Sequence, residues 1–141
     1  MASLEYKIKS GTLTVREDNG NSFTIQASSG KGTCLNQPSC ADRSWEGPIP
    51  PGDYVVGKPD DPGMAWDVLR STTGDWGDWR APLVPRANTQ TFGRSNFFIH
   101  GGSIAGSAGC IDVGGGLTGN DQTDRLKAAL EKGNAALRVD E

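Results

Sequence analysis

A mostly β domain, a small barrel or sandwich with one late helix, is the fold class the sequence predicts. Three observations predict it. Apolar residues alternate with polar ones through the first third of the chain, the period of a strand with one buried face. Glycine and proline supply 20 and 8 of the 141 residues, enough for many turns but too few for a disordered or collagen-like chain. Only one stretch, near the C-terminus, carries apolar residues at helical spacing.

The elements follow in order. Leu4, Tyr6 and Ile8 form one alternating run, Leu13 and Val15 a second, and Phe23, Ile25 and Ala27 a third. Glu17-Asp18-Asn19-Gly20-Asn21 separates the second from the third, and Asn-Gly accepts the positive φ angles of a tight hairpin. Residues 28–52 read as a long structured loop. Gly47-Pro48-Ile49-Pro50-Pro51-Gly52 then makes a rigid turn into a strand at Tyr54 and Val56. Trp66, Val68 and Leu69 suggest a further strand, and Trp76 and Trp79 stand in a Gly/Asp-rich loop. Leu83-Val84, between prolines, reads as a short edge strand. Asn96 to His100 is an apolar strand, Gly101 to Gly109 a small-residue loop, and Cys110 to Val113 a second extended run stopped by Gly114-Gly115-Gly116. Asn120 or Asp121 caps the helix, Leu126, Ala129 and Leu130 form its apolar stripe, and Gly133 ends it. Ala136, Leu137 and Val139 make a last strand. No repeat or linker interrupts the chain, so residues 1–141 read as a single catalytic-sized domain.

Charge narrows the function. Fourteen basic residues against 17 acidic ones give a net charge of −3, with no cluster of Lys and Arg to neutralise phosphates, so no nucleic-acid partner is expected. The longest apolar runs are a few residues, as at Phe97-Phe98-Ile99, so no membrane insertion is expected. Met1 to Tyr6 lacks the apolar core of a secretory signal.

Three cysteines remain. Cys34 and Cys40 share a polar loop and Cys110 stands alone, which fits one disulfide and one free thiol; three reduced thiols is the alternative. A disulfide implies an oxidising place of work. The one histidine, His100, ends a strand ten residues before Cys110, and Gly101, Gly102, Gly106 and Gly109 lie between them. A cysteine nucleophile must be ionised, and a nearby imidazole can take its proton. Small residues such as Gly101 let a substrate backbone come close, and Gly109 frees backbone N–H groups to meet an oxyanion. These parts suit acyl transfer through a thioester. The competing readings are a structural histidine beside a buried thiol, and a zinc site of Cys34, Cys40, His100 and Cys110, whose spacing is wider than a zinc knuckle.

Ile99-His100-Gly101-Gly102 and Ser107-Ala108-Gly109-Cys110-Ile111 resemble the His-Gly and Ser-x-Gly-Cys signatures of YkuD-like L,D-transpeptidases. Gly47 to Tyr54 resembles the strand that opens the catalytic domain in that superfamily. The short His-to-Cys spacing and Cys110-Ile111-Asp112 are most similar to the L,D-transpeptidase effectors of type VI secretion systems. The resemblance implies a mostly β catalytic domain acting on peptidoglycan peptide stems, with His100 and Cys110 catalytic and Ser107 and Gly109 shaping the loop. It implies L,D-carboxypeptidase or D-amino-acid exchange chemistry and no cofactor or metal. It also implies an immunity protein and secretion machinery as partners, with synthesis in the cytoplasm and action in a target cell's periplasm. A non-catalytic wall-binding module and a wall-maintenance enzyme of the producing cell are the alternatives. Asp112 stands where the larger family often has Arg, so substrate carboxylate needs another cation. Arg94 is the first candidate and Arg86 the second; Trp79 and Trp76 are candidate groove walls.

Overall fold

A computed structural model describes residues 2–59, 79–102, 107–115 and 119–141. The strand expected around Trp66 to Leu69, and Trp76, lie outside the described residues. The described strands form one sheet: β1 (Ser3–Lys7), β2 (Thr12–Arg16), β3 (Ser22–Gln26), β4 (Ser28–Gly30), β5 (Gly52–Val56), β6 (Arg80–Pro85), β7 (Phe97–Gly102), β8 (Ser107–Gly115) and β9 (Ala135–Asp140). Their lateral order is β3-β2-β1-β9-β5-β6-β7-β8-β4. The two end strands, β3 and β4, are separated in the chain only by Ala27. The sheet must therefore curl until its edges approach, which makes it barrel-like.

The early alternation folds as the sequence expects. β1 pairs antiparallel with β2, and β2 with β3, placing Leu4, Tyr6, Leu13, Val15 and Ile25 in the core. β9 returns from the helix to pair parallel with β1 and antiparallel with β5. That crossover is made by α1 (Asp121–Leu130). Asn120 accepts the Thr123 N–H at 2.9 Å and Thr123 Oγ1 accepts the Asn120 N–H at 2.8 Å, a reciprocal cap. Leu126 and Leu130 face the core, and Gly133, at φ +72°, turns the chain into β9.

Two expectations change. β6 is an interior strand, bonded to β5 on one side and β7 on the other, where the sequence suggests an edge. Its prolines are tolerated because Pro85 lies beyond the β7 pairing, which stops at Leu83↔Phe97, while the β5 pairing runs only from Tyr54↔Pro85 to Val56↔Leu83. Pro82 lies just past it and offers its carbonyl to the Gly57 N–H at 2.8 Å. The second change is β4, a three-residue strand inside the segment read as loop. It continues the period of two in Phe23, Ile25 and Ala27 by one more step to Ser29, which is wholly buried.

Beyond β4 the chain makes two 3₁₀ turns, Gly32–Cys34 and Pro38–Cys40. Cys34 and Cys40 are joined in a disulfide with Cα atoms 5.7 Å apart, and Cys110 is buried and outside the bridge. A bridge over so short a loop stabilises by about 2 kcal/mol in the loop-entropy account. Cys34→Ala with Cys40→Ala is expected to lower the urea-unfolding free energy by that amount at unchanged slope, and an unchanged midpoint counts against it. Among the described residues no helix is long and apolar enough to cross a membrane.

Candidate active site

β7 and β8 lie side by side and parallel, with Ile99 opposite Ile111 and His100 opposite Asp112. Phe97, Ile99, Ile111 and Val113 belong to the hydrophobic core. Alternation then puts His100, Cys110 and Asp112 together on the other face. The two residues singled out for acyl transfer thus lie on the same face of neighbouring strands. Arg80 of β6 stands opposite His100 on the same face, its guanidinium 4.8 Å from the centre of the Phe98 ring.

His100 is wholly buried, and its Nδ1 lies 2.6 Å from the Gly101 carbonyl oxygen. A carbonyl can only accept, so Nδ1 carries the proton and Nε2 is the basic nitrogen. Burial pushes the imidazole down to about 4, against its ordinary 6.5, and the Gly101 bond opposes that only in part. The ring is therefore neutral at pH 7, with Nε2 unprotonated. Gly101 serves the site through this carbonyl. Cys110 is 3% exposed, with Sγ 3.9 Å from the Asn96 carbonyl oxygen. Asp112 Oδ1 accepts the Gly114 N–H at 2.8 Å, which turns the strand end back on itself.

Gly109 is left-handed, at φ +75°, and a Cβ there would stand 3.1 Å from Arg94 Nη2 and 3.2 Å from the Phe97 ring. Its own N–H donates to the Gly47 carbonyl at 2.9 Å and so ties β8 to the segment around residue 47. Gly109→Ala is expected to cost roughly 1–3 kcal/mol of stability and to lower activity, because the methyl meets backbone strain and a pinned guanidinium. Thermal melts and turnover of the variant check this; wild-type values for both contradict it.

Other expected positions fall differently. Arg94 does not offer its fork to a substrate: Nη1 donates to the carbonyls of Ala41 at 2.6 Å and Pro48 at 2.8 Å, and Nη2 to Gly47 at 2.9 Å. Arg86 is exposed beyond the end of β6, near Asp53. Trp79, expected as a groove wall, is 1% exposed and packs in the core, where its area is best spent. Ser107 opens β8 opposite Gly30. The zinc reading fails because Cys34 and Cys40 are bonded to each other, and no metal-ligating cluster occurs among the described residues. The sequence reading missed Ser29, whose hydroxyl donates to the Cys110 carbonyl at 2.5 Å.

Comparison with known proteins bears on this arrangement. The fold matches the helical cell shape determining protein Pgp2 of Campylobacter jejuni with a TM-score of 0.62 at 14% identity, covering 99% of this chain and 47% of that one. It matches Bdellovibrio bacteriovorus Bd1075 with a TM-score of 0.61 at 17% identity, covering 99% and 47%. Mycobacterium tuberculosis L,D-transpeptidase 1 matches with a TM-score of 0.56 at 18% identity, covering 98% and 62%. The chain thus spans about half the length of the first two and under two thirds of the third. No curated protein sequence matches it. The model of the Tlde1 domain matches residues 23–139, a span that includes both His100 and Cys110. Its fold is similar to that of an L,D-transpeptidase, and with the family model matching most of its length the chain belongs to the Tlde1 domain family.

Proposed function

We propose that this domain is a cysteine acyl-transfer enzyme that cuts or exchanges the terminal D-amino acid of peptidoglycan peptide stems, as an antibacterial effector. The observation that supports the reading is that a neutral, Nδ1-protonated His100 and the thiol of Cys110, which lies outside the disulfide, stand on one face of adjacent strands. Membership of the Tlde1 family, described as type VI L,D-transpeptidase effectors, supports the substrate class.

Each step has a group to perform it. His100 Nε2 takes the Cys110 proton, and the thiolate attacks the carbonyl carbon before the terminal residue. The tetrahedral intermediate collapses with rupture of the C–N bond, and the imidazolium returns the proton to the departing amine. A thioester remains on Cys110. Water attacking it gives carboxypeptidase action, a D-amino acid gives exchange, and another stem's amine gives a cross-link. Buried surroundings strengthen the electrostatics of the site relative to water.

The disulfide supports work in an oxidising compartment, and the periplasm of a target cell supplies both the oxidant and the stems. An immunity protein and secretion machinery are the partners that belong to this reading. Fusion to a secretory signal in a Gram-negative host is the test. Periplasmic delivery should cause swelling, lysis or division defects that Cys110→Ala removes, while cytoplasmic expression should do little harm. Equal harm from the periplasmic Cys110→Ala chain contradicts an acyl-transfer effector.

A further inference from the structure

The backbone around Cys110 is gripped from two directions by one short segment. On the N-terminal side, Gly109 donates its N–H to the Gly47 carbonyl at 2.9 Å. On the other, the Cys110 carbonyl accepts the Ser29 hydroxyl at 2.5 Å, and Ser29 Oγ accepts the Ile49 N–H at 2.8 Å. Residue 47 therefore holds the Ala108–Gly109 peptide, one short of the nucleophile, and residue 49, through Ser29, holds the Cys110–Ile111 peptide just after it. The segment is itself held by Arg94, whose two terminal nitrogens reach three of its carbonyls, those of Ala41, Gly47 and Pro48. Ala41 follows Cys40, so the disulfide anchors the far end of the same segment.

We infer that Ser29 and Arg94 are positioning residues for the Cys110 nucleophile, acting through segment 41–49 and not through contact with substrate. Ser29 is wholly buried, and its hydroxyl is engaged with two backbone groups, the Cys110 carbonyl and the Ile49 N–H. The Arg94 fork is spent on carbonyls that a carboxylate would have to displace. Bonds from a charged donor are stronger than those of a neutral pair, so the clamp is stiff. The guanidinium also interacts electrostatically with Cys110, which raises its own proton affinity against the lowering by burial. Stiffness matters here because β8 passes a left-handed glycine just before the nucleophile, and a strand bent there needs an external brace. A misplacement of about 1 Å between nucleophile and base costs on the order of 100-fold in rate.

The inference needs Cys110 to be a nucleophile, as proposed above, but not that its substrate is peptidoglycan. The experiment is acylation of the full, oxidised chain by 4-nitrophenyl acetate, read as the burst of nitrophenolate and the mass gain on Cys110. It is paired with kcat and KM on purified tetrapeptide muropeptides. Ser29→Ala is expected to acylate about 10–100-fold more slowly, with KM within twofold of wild type. Arg94→Met is expected to lose at least as much, and Arg94→Lys, which keeps the charge but cannot span three carbonyls, to lose less. If Arg94→Met does not fold, the other two carry the test. Wild-type acylation rates in folded Ser29→Ala and Arg94→Lys overturn the inference. So does a muropeptide defect confined to KM, which marks Arg94 as a substrate ligand. A wild-type burst without muropeptide turnover removes the peptidoglycan reading alone, with the variants' burst rates still deciding the inference. A wild-type chain that is never acylated removes both.

Discussion

Cys110→Ala is expected to give a folded chain whose release of D-amino acid from tetrapeptide muropeptides falls by at least about 10⁴-fold, to background. Cys110 is outside the apolar core cluster, and losing a sulfur at that position leaves only a small gap, so the melting temperature should move little. His100→Gln should fall nearly as far, because thiol and imidazole act as one unit and losing either removes the covalent route. The double variant should be no worse than the worse single one. Independent, multiplicative losses in the double variant would mean that the two residues serve separate steps. Product masses from a timed digestion measure all three.

The second large effect is on stability against pH, and its sign follows from the buried imidazole. His100 binds its proton at about 4 in the folded chain and near 6.5 when unfolded. Above 6.5 neither state is protonated there and His100 adds no pH dependence. Between 6.5 and 4 the unfolded chain takes up a proton that the folded chain refuses, so stability falls as pH falls. The loss grows to roughly 3 kcal/mol near pH 4. Carboxylates act lower: Asp18, bonded to Lys132, is held down to about 2, so its contribution fades only below the ordinary carboxylate range. Urea unfolding of wild type and His100→Gln at pH 7.5, 6.0 and 4.5 separates the two. The wild type should lose stability over this interval much faster than the variant. Parallel pH profiles would contradict a neutral, buried His100.

Much of this was legible in the sequence, for definite physical reasons. Alternation in Leu4 to Ala27 reads out one-sided burial directly, and both ends of the helix carry their own caps at Asn120 and Gly133. His100 and Cys110 stood out because a catalytic thiol needs a base, and the chain has one histidine. What escaped depends on pairing between distant segments. Ser29 is an ordinary serine until β4 docks on β8, 81 residues away, and brings its hydroxyl to the Cys110 carbonyl. The sequence offers Arg94 as a cation for substrate carboxylate, but its partners are carbonyls 46–53 residues earlier, which no local pattern reveals. Arg80 joins the His100 face only through the β6–β7 register. Trp79 looked like a loop aromatic because the residues before it are glycine and aspartate, whereas burial claims its large ring.

The most direct measurement is the intact mass of the chain quenched during turnover of a tetrapeptide muropeptide. The expected result is a transient adduct on Cys110 equal to the substrate minus its terminal D-amino acid, absent in Cys110→Ala, together with free D-amino acid in solution. Release of D-amino acid with no adduct at any time, and undiminished in Cys110→Ala, would contradict a cysteine thioester mechanism.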